Sequence, residues 1–242
     1  MLKKISLAIS AGEENMHIAE GYLPLTWCIL YFAIAIPIVG YSIYRLKKIR
    51  EDFPKAMSLV AVAGGFMFVL SALKIPSVTG SCSHPTGSGI AIIIFDLPIT
   101  TMLAMIVLIF QALLLAHGGI TTLGANTVSM GIIGPLAGYI AYKTLNRTNL
   151  RWEYIVFTTA FLADIFTYIT TSTQLALAYP IPSFSQAWSV FMAIFLITQI
   201  PIGIAEGLLT VALFHYLIKY RADLLNELRV LRLPSSEVLV NG

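Results

Sequence analysis

Long apolar runs with few charges divide the chain at about 24–44, 56–73, 98–116, 123–145, 153–178 and 188–218. Each approaches or exceeds the roughly 17–25 residues that a helix needs to cross a bilayer. Between the second and third lies a shorter apolar stretch, Gly89 to Phe95, closed by Asp96-Leu97-Pro98. At about 1.5 Å per residue that stretch rises only about 10 Å and does not cross unaided. With Pro85-Thr86-Gly87-Ser88 ahead of it, the chain can complete a crossing as part helix and part buried loop.

The basic residues decide between these readings, because Lys and Arg collect on the cytoplasmic side of a membrane protein. Arg45, Lys47, Lys48, Arg50 and Lys55 lie between the first two runs. Lys143, Arg147 and Arg151 flank the 145–153 connection, and Lys219, Arg221, Arg229 and Arg232 follow the last run. A single helix over 89–116 would put the first two clusters on opposite sides. Two crossings there put all three on one side. The expected architecture is an all-α integral membrane protein, a seven-crossing helical bundle in the plasma membrane lipid, with its N-terminus outside and its C-terminus cytoplasmic. The loops 74–89, 117–122 and 179–187 then share the outer face. Residues 221–242 read as a short amphipathic cytoplasmic tail.

Composition agrees with a membrane protein. The 242 residues are 57% hydrophobic and 11% charged, against about 25% charged in soluble domains, and the mean hydropathy is +0.83. Cys28 and Cys82 make no disulfide framework and no CxxC zinc pair. The net charge of +3 forms no basic stripe beyond the membrane-flanking clusters, which argues against nucleic acid as a partner. No soluble domain, linker or internal repeat stands out.

Histidines are rare inside membranes, so each needs an account. His17, His84 and His117 all fall on the outer face under a topology derived without them, whereas His215 reads as an interfacial helix-end residue. Converging imidazoles suit Zn, Cu, Ni and Co. The Gly-, Ser- and Thr-rich loop around His84 lets backbone fold into a bundle with its polar groups satisfied. One alternative is that His84 only hydrogen-bonds loop carbonyls. Another is a membrane hydrolase with Ser81 or Ser83 as nucleophile and His117 as base. Against that stand the lack of a nucleophile-elbow pattern and of any nearby carboxylate but Glu20. Cys82 reads as a small buried residue. Asp164 and Glu206, both within spans, read as structural groups or contacts to a partner subunit.

Three blocks, MHIAEGYLP from Met16, SALKIPSVTGSCSHPTGSG from Ser71 and FQALLLAHGGITTLGANTVSMGIIGP from Phe110, carry a resemblance. In this order they resemble the substrate-capture (S) components of energy-coupling factor (ECF) transporters for cobalt and nickel, the CbiM/NikM family, over roughly 16–220. The resemblance implies a six-helix core plus an extra N-terminal helix, and a metal held by Met16, His17 and His84. It implies Co(II) as cargo rather than a permanent cofactor, taken up for cobalamin biosynthesis. Ni(II) uptake is the alternative within the same design, and a membrane metalloenzyme the alternative outside it. The implied partners are paired ATPase subunits, a transmembrane coupling (T) subunit and a small auxiliary membrane subunit. The chain itself has no Walker A motif to hydrolyse ATP.

Chemistry constrains that ligand set. A histidine second from a free α-amine offers the amine, its own deprotonated amide and its imidazole. With His84 as fourth donor, such a tetragonal nitrogen set suits Ni(II), Cu(II) and Co(II) more than tetrahedral zinc. Metal displaces protons there, so affinity falls with pH. Here fifteen residues precede Met16. Their most apolar stretch, Ile5 to Ile9, is shorter than the about 7–15 residues of a signal peptide. Residues 1–15 are therefore expected to be a non-native extension, with translation starting at Met16; the alternatives are cleavage before Met16 or a site that works without the amine. Glu20, Ser83, Thr86, Asn126 and His117 are the candidates to orient the imidazoles, with loop capping or helix–helix hydrogen bonding the equal alternative for the first four, and His117, in the AHGG block, is not assigned as a direct ligand.

Overall fold

The computed structural model of the chain describes residues 17–73, 75–76 and 82–227. The 1–15 extension, Met16 and the tail past Glu227 lie outside the described residues. Helix α1 (Leu25–Asp52) begins after Pro24 and runs beyond its apolar stretch through Arg45, Lys47, Lys48 and Arg50. Lys and Arg are good helix formers, and a cation in the last turn, here Arg50, suits the negative helix end. Helix α2 (Ala56–Ala72) follows. A two-residue antiparallel ladder then pairs Ile75 with Ser83 and Pro76 with Cys82.

Residues 84–87 are not helical, and the next helix, α3 (Ser88–Ile94), has only seven residues, all of them buried. Asp96 starts α4 (Leu97–Leu114): its side chain accepts from the Ile99 amide at 3.1 Å, with Pro98 in the first turn. Its other oxygen takes a hydrogen bond from Arg45 at 2.9 Å. The run 123–145 forms one continuous coil made of α5 (Leu123–Asn126), a π-helical segment (Thr127–Ile133) and α6 (Gly134–Leu145). Helix α7 (Trp152–Ala178) and the 44-residue α8 (Phe184–Glu227) complete the chain. Helix α8 contains Pro201 and departs from helical geometry at Arg221.

Four of these helices, α1, α4, α7 and the Phe184–Arg221 part of α8, are long and apolar enough to cross a membrane. Helix α7 has to reconcile many hydroxyls with that environment. Thr159, Thr167, Thr170, Thr171, Ser172 and Thr173 each donate to the carbonyl four residues earlier, so none needs water.

The core gathers around α3. Ile90, Ile93, Met67, Ile99, Ala104, Met130, Val156 and Phe214 share one buried cluster. A second cluster, including Ile18, Leu23, Tyr31, Ala125, Val128, Tyr168 and Phe195, lies beneath the stretch that precedes α1. From Leu25 to Arg45, α1 rises about 30 Å. His84 packs near the first end, against His17, and Asp96 meets Arg45 at the other. The short span 84–96 therefore covers the depth that α4 retraces toward His117.

Close packing makes this short route workable. Gly89 lies against α7 so tightly that a Cβ there would stand 2.5 Å from the Ala160 Cβ and 2.8 Å from its Cα. Gly89→Val is expected to destabilise the detergent-solubilised protein by about 1–3 kcal/mol, the usual range for overpacking, read as a lower melting midpoint. Gly65→Ala is the control, since a Cβ at Gly65 meets nothing within 4 Å; an equal loss in both would mean the contact with Ala160 is unimportant.

Candidate metal centre

Two stretches that flank helices interlock to build the site. At the base of the 123–145 coil, Asn126 grips the main chain of Ile18 as a strand would. It accepts from the Ile18 amide at 3.0 Å and donates to the Ile18 carbonyl at 3.2 Å. The Thr122 hydroxyl donates to the same carbonyl. One turn away, the Thr121 amide donates to Glu20 at 3.0 Å, and the Gly21 amide donates to the Thr121 hydroxyl at 3.3 Å. Gly119 has to be small here, because a Cβ would stand 2.5 Å from the Glu20 Cα. Hydrogen bonds from Thr121 hold the Glu20 carboxyl below its usual range. That clasp is complete above the ordinary carboxylate pKa and is lost only as pH falls through the lowered value.

This interlock delivers His17 and His117 to one place, and the 84–87 loop delivers His84. All three are buried, at 7%, 0% and 1% exposure respectively. Ring centroids lie 4.6 Å apart for His17 and His117, 4.8 Å for His17 and His84, and 5.1 Å for His84 and His117. One nitrogen from each lies within 4.8 Å of the others. Nitrogens bound at about 2.1 Å stand about 3 Å apart when cis and about 4 Å when trans. The imidazoles are thus within about 1 Å of a coordination sphere.

Hydrogen bonds orient two of the rings. His17 Nε2 lies 2.8 Å from Gln111 Oε1. A carbonyl oxygen only accepts, so Nε2 carries the hydrogen and Nδ1 keeps its lone pair. His84 Nδ1 faces the Pro85 carbonyl at 2.9 Å, which by the same logic leaves Nε2 as the basic nitrogen. Such partners set ligand tautomers in metal sites generally. The Gln111 carbonyl also accepts from the His117 amide at 3.1 Å, so one residue near the end of α4 serves two of the three histidines.

Around His84 the backbone is held from two helices. Its carbonyl accepts from the Tyr168 hydroxyl at 2.9 Å and from Gln199 Nε2 at 3.1 Å. Gln199 also donates to Asp164 at 2.6 Å. Glu206 receives the Thr86 amide at 2.6 Å, the Thr86 hydroxyl at 3.0 Å and the Gly87 amide at 2.9 Å. Asp164 and Glu206 are fully buried, which places them inside the bundle rather than on a surface open to a partner subunit.

The sequence-predicted residues therefore separate. His17, His84 and His117 converge. Glu20, Thr86 and Asn126 hydrogen-bond main chain, hydroxyls or Glu206, and shape the backbone around the imidazoles. Ser83 pairs its hydroxyl with Thr198. Met16 lies outside the described residues, as does Ser81. His215 packs edge-on to Trp152 at 4.6 Å, in a separate part of the bundle. Gln111, Tyr168, Gln199 and Glu206 contact the site or its loop. The first three were not singled out by the sequence; Gln111 and Gln199 are amides among apolar neighbours, and nothing distinguishes Tyr168 from the other aromatic and hydroxyl side chains of α7.

Comparison with known proteins agrees with a metal-transport fold. Residues 17–224 match the family described as CbiM, cobalt uptake substrate-specific transmembrane region. The cobalt transport protein CbiM of Carboxydothermus hydrogenoformans is 52% identical over 216 residues, 89% of this chain and 88% of that protein. The CbiM 2 protein of Methanosarcina barkeri is 53% identical over 225 residues, 90% of this chain and 96% of that protein. A crystal structure of a truncated transition metal transporter superposes with a TM-score of 0.73, covering 85% of this chain and 99% of that one. At 23% identity it speaks for the fold alone.

Gln111→Leu keeps the bulk of the side chain and removes the acceptor for His17. It is expected to weaken Co(II) or Ni(II) binding roughly 10–100-fold, as loss of a ligand's hydrogen-bond partner does elsewhere. Isothermal titration of the purified protein measures this, and undiminished affinity would show that His17 needs no such partner.

Proposed function

The chain belongs to the CbiM family of cobalt-uptake substrate-specific transmembrane proteins, and from that membership we propose that it captures Co(II) outside the cell for import. The convergence of His17, His84 and His117 within 4.8 Å carries the reading. The relatives are named as transport proteins, which supports transport of an ion rather than covalent chemistry. His17 Nδ1 and His84 Nε2 are the proposed imidazole donors. The Met16 amine and the His17 amide complete a four-nitrogen plane where Met16 heads the mature protein. His117 stands beside them. Ni(II) is the alternative cargo, because it too suits tetragonal nitrogen donors and outranks cobalt in intrinsic affinity.

In this proposal the chain is the S component of an ECF importer that supplies cobalamin biosynthesis. ATP hydrolysis then belongs to partner ATPase subunits, coupled through a T subunit and a small auxiliary membrane subunit. We propose seven crossings with the N-terminus outside and the C-terminus cytoplasmic. Two features support this topology. The Arg45–Asp96 pair stands at the far end of α1 from the histidines, and Lys47, Lys48 and Arg50 continue α1 beyond it toward that end.

His17→Ala and His84→Ala are each expected to abolish cobalt uptake in cells carrying the whole transport system, while membrane insertion persists. In vitro they should lower Co(II) affinity by two or more decades, each decade being about 1.4 kcal/mol. Wild-type affinity in His84→Ala would refute the site, and a preference for nickel in competition assays would change the cargo. Sidedness is tested separately by reporter fusions. A reporter after Tyr220 should be cytoplasmic and one within 117–122 external; an external C-terminus would refute the seven-crossing topology.

A further inference from the structure

Residues 84–87 lie along α8 rather than merely near it. Gln199 and Glu206 are seven residues apart on α8, two turns on one face, with Pro201 between them. They grip the tetrapeptide at both ends: Gln199 holds the His84 carbonyl, and Glu206 holds the Thr86 and Gly87 amides and the Thr86 hydroxyl. The Thr86 and Gly87 amides turn to the same side, toward one carboxylate, with Gly87 in the left-handed region at φ +69°, so the loop is fixed to the helix at two points two turns apart. With its carbonyl drawn toward α7 and α8 by Tyr168 and Gln199, and its ring tied to the Pro85 carbonyl, His84 has little freedom left except to face His17 and His117.

We propose that Glu206 is a positioning residue for His84: by clasping the Thr86–Gly87 backbone, it sets the imidazole at the site and makes that setting depend on where α8 stands. The carboxylate suits the task because it offers only acceptors to three donors. An amide of the same shape would turn an NH2 group toward a buried N–H, leaving both donors unanswered. The proposal rests on the reading of His84 as a metal ligand. It adds that the ligand is held from α8, through a residue that is not itself a ligand.

The test uses Glu206→Gln in the full-length protein, purified in detergent, with two readouts. The first needs no metal: the rate at which diethyl pyrocarbonate modifies His84, followed by peptide mass spectrometry with the exposed His215 as internal standard. Release of the loop is expected to speed modification of His84 several-fold relative to His215. The second is Co(II) titration with its d–d absorption spectrum. Affinity is expected to fall roughly 10–100-fold, and the band to shift toward that of His84→Ala. A residue that only stabilises the fold would lower the melting midpoint and leave the spectrum of bound cobalt unchanged.

Should Glu206→Gln fail to fold, Thr86→Val removes one of the three donors and is expected to show both effects at smaller amplitude. Wild-type His84 reactivity and an unshifted cobalt spectrum in whichever variant folds would overturn the proposal. A wild-type protein that binds no cobalt would instead sink the metal reading, and the reactivity of His84 would still decide whether Glu206 positions it.

Discussion

Main chain that leaves helical geometry inside an apolar bundle must have its amides and carbonyls answered by side chains, because neither lipid nor packed hydrocarbon will answer them. Residues 84–87 impose that demand on this protein. Glu206, Gln199 and Tyr168 meet it directly, and Asp164 meets it through Gln199. Much of what is unusual in the spans follows: two buried acids, a glutamine opposite them, and a helix of seven residues between the 17 of α2 and the 18 of α4. An isolated carboxylate in such surroundings would be costly. Here the cost is offset by three donors converging on Glu206.

The ion pair between Arg45 and Asp96 plays a different part. Its side chains keep 32% and 22% of their exposure, and pairs of that kind contribute about 0–1 kcal/mol. Asp96 also caps α4 through Ile99. The pair's value is mostly geometric, since it fixes which end of α1 meets the turn between α3 and α4. The histidine end relies instead on main-chain pairing, with Asn126 holding Ile18 from both sides.

Apolar run length was a good guide to the helices, because every group of about 20 apolar residues has to satisfy its own backbone and only helix does so within one segment. It also flagged Gly89 to Phe95 as too short. It was a poor guide to helix ends. Charge does not stop a helix, so α1 runs on through Lys47, Lys48 and Arg50 to Asp52, and α8 continues to Glu227. The histidines were legible because they are rare in such sequences, and their shared side followed from the basic clusters. Gln111 was not legible in the same way. An amide in a hydrophobic run has many uses, and only the fold shows that this one lies 2.8 Å from His17. Likewise nothing in the spacing of Thr86 and Glu206, 120 residues apart, announces their contact.

The widened coil at Thr127–Ile133 has a consequence for how the two halves of its span relate. One residue of extra winding turns everything beyond it by about 100°. Before it, Asn126 points at Ile18; after it, Gly134 and Gly138 press against the Ala163 and Thr159 carbonyls of α7. In a strictly α-helical rod these two faces would be locked in angular phase, and one would have to be sacrificed to aim the other. The π segment acts as a fixed angular offset, so the end that carries the His117 loop and the end that packs the bundle can each be aimed on its own terms.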